Sequence, residues 1–165
     1  MEITTAILDD HDRQRRLFAA LDEIARSDGD ALDRVWSELA GFLEVHAAAE
    51  EKVLYPEVLK LSDPDAEETL DAIGDHNDIR DAIARAAAAA PGSEPWWAAV
   101  GDARAANTEH MGEEEDEVLP HFRAKASLAL REQLGAAFVA AKTPSGAAVL
   151  DTDDKNPAEY VDQHT

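Results

Sequence analysis

Apolar positions recur at three- and four-residue spacing along four long stretches of the chain. Ile7, Leu8, Phe18 and Leu21 fall on one face of the first, and Leu39, Phe42, Leu43, Val53 and Leu54 on one face of the second. Ile73, Ile79 and Ile83 mark the third, and Ala103, Ala106 and Val118 mark the fourth more weakly. That spacing predicts amphipathic helices, and no stretch sustains the alternation of a strand. Between them lie Ser27-Asp28-Gly29-Asp30, Ser62-Asp63-Pro64 and Pro91-Gly92-Ser93-Glu94-Pro95, all turn-forming. Asp30, Asp63 and Ser93 stand where helix N-caps belong. The prediction is an all-α, antiparallel up-down-up-down four-helix bundle with a short fifth C-terminal helix. The fifth helix, about Ser127 to Ala141, carries Leu128, Leu130, Leu134 and Phe138 and should pack across the bundle. Pro56 and Pro120 fall inside helical pattern and should kink or break it. Residues 1–142 are read as one domain, and residues 143–165 as a loose, polar, acidic tail.

The chain repeats itself. Residues 46–56 and 110–120 each run from His to Glu at +4, Glu at +5 and Pro at +10. Upstream, Asp10-His11 with Arg15 matches Asp75-His76 with Arg80. Each half is therefore one helical hairpin offering a His and then a His-x-x-x-Glu. His11, His46, His76 and His110 all fall on the apolar stripes, and Glu50 and Glu114 share a face with His46 and His110 because i and i+4 are helix neighbours. Counted from each hairpin turn, the two histidines of a hairpin should stand level.

Four inward imidazoles and two inward carboxylates at one depth would weaken a core without compensation. A metal centre supplies it. The chain has no cysteine, so thiolate-held zinc and ordinary iron–sulfur clusters are excluded. Imidazole with carboxylate suits first-row metals such as iron, manganese or zinc. Two carboxylates among four histidines can bridge two ions, with two histidines for each. A ferritin-like plan would need Glu-x-x-His, which does not occur.

The order His…His-x-x-x-Glu…His…His-x-x-x-Glu resembles the hemerythrin-like family, the HHE cation-binding domain, over roughly residues 4–142. The resemblance implies a non-haem di-iron centre, two iron ions with an oxo or hydroxo bridge, held by His11, His46, Glu50, His76, His110 and Glu114. Respiratory hemerythrins carry a further His four residues after the third-helix His, and here that position is Arg80. A missing ligand leaves an open position, which favours chemistry with hydrogen peroxide or O2, of a catalase or peroxidase kind, over plain oxygen carriage. The alternative is binding or sensing of O2, NO or iron without turnover.

Several neighbours are candidates for supporting roles. Asp10, Asp75, Arg15 and Arg80 could orient the ligands, and Gln14 could reach the centre. Tyr55 could be turned toward the metal by Pro56, as a ligand or redox-active group. Glu117 returns to the ligand stripe within an acidic run and is read as facing water. Glu51 and Glu115 should turn away on a regular helix. His121 is expected at the bundle end, and Trp96 and Trp97 should close one end of the core or meet a partner.

Charge narrows the partners. Lys plus Arg number 15 against 36 Asp plus Glu, a net −21. Such a surface repels phosphate backbones and anionic lipid, so neither nucleic acid nor membrane is expected. There is no signal-peptide pattern and no apolar run of transmembrane length, so a cytoplasmic protein acting on small molecules is the expectation.

Overall fold

The computed structural model describes residues 1–61 and 66–165. The Ser62-Asp63-Pro64 breaker, with its expected cap, lies outside them. Among the described residues all regular structure is helical. The bundle consists of α1 (Ile3–Asp22), α2 (Gly29–Val53), α4 (Ala66–Ala87) and α5 (Glu94–Glu113). A short helix α3 (Tyr55–Leu61) follows α2. α1 packs on α2, α2 on α4 and α4 on α5. Arg104 closes the circle, its guanidinium donating to Asp22 and to the Phe18 carbonyl.

The caps follow side-chain chemistry. Ser93 Oγ accepts from the Trp96 amide at 3.4 Å, as predicted. The cap of α2 is Asp28 rather than Asp30: its Oδ1 accepts from the Ala31 amide at 3.1 Å, and Asp30 falls in the first turn. Helix α2 thus starts two residues earlier than expected. In the second hairpin, Gly92 takes φ +83°, and a Cβ there would stand 2.6 Å from the Arg26 carbonyl.

Both internal prolines interrupt their helices. Pro56 has no N–H and clashes with a carbonyl four residues back, so α2 stops at Val53 and α3 restarts at Tyr55. Ahead of Pro120 the break is a widened π turn over Glu114–Val118, followed by α6 (Leu119–Lys125). Helix α7 (Leu128–Ala141), capped by Ser127, lies across α1 and α2 and buries Leu134 and Phe138. Two apolar positions of the predicted faces do not bury: Leu8 and Leu128 are exposed.

Residues 143–165 depart from the expected loose tail. A single turn, α8 (Pro144–Ala147), leads to α9 (Pro157–His164), which packs on α3 and α4. Asn77 bonds the Lys155 backbone twice, donating to its carbonyl at 2.7 Å and accepting from its amide at 3.0 Å. Tyr160 and Val161 are buried, and the Tyr160 hydroxyl donates to the Glu51 carbonyl. Sparse apolar residues, read singly, hid this docking.

The apolar interior falls into two clusters. One lies toward the hairpin turns, around Leu21, Leu32, Leu39, Ile83 and Trp96. There Trp96 is buried and meets Trp36 edge-on at 6.0 Å, so it closes that end of the core. The other, around Ile7, Leu54, Ile73, Phe122 and Phe138, fills the opposite end. The four stripe histidines occupy the layer between them.

Candidate metal centre

That layer is dry. His11, His46, His76, His110, Glu50 and Glu114 are each at most 2% exposed. Level counting within hairpins holds: the His11 and His46 rings lie 5.3 Å apart, and those of His76 and His110 lie 4.5 Å apart. The hairpins also stand in register, which sequence left open. His11 Nε2 lies 3.3 Å from Glu114 Oε2, and His76 Nε2 lies 3.4 Å from Glu50 Oε2, both across the bundle.

The structure gathers the six residues into two groups that could each hold an ion. His11, His46, Glu50 and Glu114 form one, and Glu50, His76 and His110 form the other, with donor atoms within 4.8 Å of one another. Glu50 belongs to both, as a bridging carboxylate would.

Unsatisfied atoms test whether this chemistry fits a metal. His11 Nε2, His46 Nε2, both Glu50 oxygens and Glu114 Oε2 are buried without a hydrogen-bond partner. His46 Nε2 comes within 2.9 Å of Glu50 Oε1 but without hydrogen-bond geometry. Each such orphan costs about 1–3 kcal/mol, and all point into one space. His76 Nε2 and His110 Nε2 stand 3.1 Å apart, the separation of two nitrogens on one ion at about 2.1 Å and a right angle. A cation answers all these atoms together, so the donor set fits a metal.

The outer nitrogens are as ordered as the inner ones. His46 Nδ1 meets Asp10 Oδ2 at 3.0 Å, His76 Nδ1 meets Glu51 Oε1 at 2.8 Å, and His11 Nδ1 meets Glu115 Oε1 at 2.8 Å. His110 Nδ1 faces Asp75 Oδ2 more loosely, at 3.8 Å. Each helix thus offers one carboxylate to the histidine of the next helix, in a closed circle α1 to α2 to α4 to α5 to α1. Asp10 and Asp75 support the ligands expected of them only in part, since each serves the following helix and not its own neighbour in sequence. A carboxylate on Nδ1 fixes the ring so that Nε2 points inward, where an ion could take it as a ligand.

Glu51 and Glu115 take part where the helical pattern alone predicts that they turn away. They do turn off the bundle axis, but that direction meets the adjacent helix. The signal was a Glu-Glu doublet in both repeats, matched to Arg15 and Arg80. Those arginines hold the doublets' second members: Arg15 donates to Glu115 at 2.7 Å and Arg80 to Glu51 at 2.8 Å. Lys142 caps Asp10, and Lys155 Nζ lies 2.9 Å from Glu51 Oε2.

Other candidates fall variously. The Tyr55 hydroxyl, fully buried, donates to Glu114 Oε1 at 2.6 Å, so the Pro56 break does bring it to the layer. Gln14 is buried but accepts from Asn107 at 3.0 Å, one step toward the turns. Glu117 is exposed, yet it lines a cavity of about 110 Å3 together with His110 and Glu114. His121 is exposed at the bundle end.

Electrostatics follows the packing. Burial alone would lower the His46 pKa, but the Glu50 and Asp10 carboxylates push it up to about 10. Glu50 goes the other way: burial would raise it, and the His46 charge with the other histidines close by holds it well below its usual range. Glu51 is held at about 2 against its burial by His76, Arg80 and Lys155. Burial and the neighbouring Glu114 raise Tyr55 well above the usual phenol value. Asp75, lacking a close partner, is raised by burial to about 6.

No helix among the described residues is long and apolar enough to cross a membrane. Comparison with curated proteins and with solved structures returns no match. The family model of the hemerythrin HHE cation binding domain matches residues 2–122. That span contains both hairpins and all six buried donors, and the chain belongs to the hemerythrin HHE cation-binding domain family.

Proposed function

We propose that the chain is a non-haem di-iron protein that reacts with hydrogen peroxide or O2. His11, His46, Glu50 and Glu114 would hold one ion, and Glu50, His76 and His110 the other. The observation that carries the reading is the inequality of these groups. The second offers three residues against four, and the cavity of about 110 Å3 reaches its His110 along with Glu114 of the first. A space of that size admits molecules of a few atoms and not a drug-sized substrate. Arg80, where respiratory hemerythrins place a further His, gives its guanidinium to Glu51 and adds no nitrogen to the centre.

A bound iron pair would supply an electron-exchanging Lewis acid with an open position. The chain's residues do the rest. Asp10, Glu51 and Glu115 would hold the His46, His76 and His11 imidazoles in the tautomer that leaves Nε2 free. The two apolar clusters exclude bulk water from either side of the layer. The Tyr55 hydroxyl holds a proton on Glu114 Oε1, beside the cavity wall. Conversion of two hydrogen peroxide molecules to O2 and two waters needs no further reductant.

The test is O2 evolution from hydrogen peroxide by iron-loaded protein. Turnover that disappears in His46→Ala and His110→Ala supports the reading. A stable O2 or NO adduct with little turnover would replace the enzyme by a binding module. Iron-loaded protein inert to all three would overturn both.

A further inference from the structure

The acidic run Glu113 to Glu117 is used on two sides. Glu115 turns to His11, whereas Glu113, Glu114 and Glu117 line the cavity above His110, and Asp71 of α4 stands across from them. His110, Glu113, Glu114 and Glu117 all line the cavity, across the end of α5 and the π turn, so the carboxylates form a ladder along one wall. Asp71, Glu113 and Glu117 are exposed at the outer end; His110 and Glu114 are buried at the inner end. Glu114 Oε2, 1% exposed as a residue, has no hydrogen-bond partner. Among the described residues no Lys or Arg lines this cavity, whereas the 500 Å3 cavity at α9 carries Lys52 and Lys155, and the 420 Å3 cavity beside α6 carries Arg123.

We propose that Asp71, Glu113 and Glu117 form a portal that gathers divalent cations from solution and passes them to His110 and Glu114. The proposal rests on the metal-centre reading above. Three carboxylates with no Lys or Arg beside them among the described residues raise the local concentration of a divalent ion, and their hard oxygens suit its transient binding. A neutral molecule such as peroxide gains nothing from this charge, so the rim chemistry selects the cation. The ladder ends on an unpartnered buried carboxylate oxygen and an imidazole, the donors the ion would keep.

The test is the rate of Co2+ uptake by metal-free protein, read by stopped-flow through the visible absorption of the bound ion. The D71N/E113Q/E117Q variant loads at least about tenfold more slowly than wild type at low ionic strength. The gap narrows as added salt screens the rim, and the final spectrum and stoichiometry stay those of wild type. The E23Q/D30N/D33N variant, with the same charge change near the hairpin turns, loads at the wild-type rate. The single variant E117Q, least able to disturb the fold, slows loading several-fold. Equal loading by rim variant and wild type, equal slowing by both triple variants, or a reduced final stoichiometry in the rim variant each overturns the portal. Wild type that takes up neither Co2+ nor Fe2+ overturns the metal centre and the portal with it.

Discussion

At the scale of single residues, the outer carboxylates carry much of the argument. An imidazole whose Nδ1 is fixed by a carboxylate is aimed before the ion arrives, and removal of such a partner commonly costs 10–100-fold in affinity. Glu51→Gln and Glu115→Gln should therefore weaken metal binding about 10–100-fold, measured by competition with a chelator, with the helical signal unchanged. Unaltered affinity in both would mean the circle is incidental. Glu2 offers a pH prediction away from the centre. Burial would raise its carboxyl, but bonds from Thr4, Thr5 and Arg123 outweigh this and hold it at about 2. Because the folded pKa lies below the unfolded one, its stabilisation is full above about pH 4.3 and fades as pH falls toward 2. Wild type should exceed Glu2→Gln in Tm at pH 7, and the gap should narrow to roughly half by pH 3, closing only below about pH 2. A gap that does not narrow between about pH 5 and pH 3 contradicts the assignment.

At the scale of elements, the fifth long helix of the chain, α7, seats on the start of α1 through a glycine. A Cβ at Gly135 would stand 2.9 Å from the backbone of Glu2 and of Ile3. Gly135→Ala should cost about 1–3 kcal/mol, read from denaturant midpoints; an unchanged midpoint would mean that α7 shifts freely. The same scale separates what sequence makes legible from what it does not. His46 and Glu50, or His110 and Glu114, are readable as pairs because one helix fixes their relative direction. Glu51 and Glu115 escape that reading, since their partners are on neighbouring helices whose positions depend on packing. The π turn at Glu114–Val118 has only Pro120 as a local sign, and the docking of α9 depends on Asn77 meeting Lys155, 78 residues away in sequence. The Asp28 cap was missed by two residues because Asp28, Gly29 and Asp30 all suit a helix start.

At the scale of the molecule, a polar layer separates two apolar cores. Such a fold leaves its centre with buried orphan atoms until an ion satisfies them, so metal and stability are linked. Adding Fe2+ to metal-free protein should raise Tm, with stabilisation of about 2.7 kcal/mol once free metal reaches 100 times Kd. The rise should vanish in His46→Ala; an equal rise there would place the ion elsewhere. The surface charge of −21 fits this account without explaining it: most of the 36 acids only solvate, while a few sit in the ligand layer, around it or at its portal. The central claim is that the layer is a two-ion centre, and metal analysis of the untagged protein tests it most directly. About two iron atoms per chain, falling together in His46→Ala and His110→Ala, is the predicted result. A correctly folded chain that holds no metal after exposure to Fe2+ would contradict it.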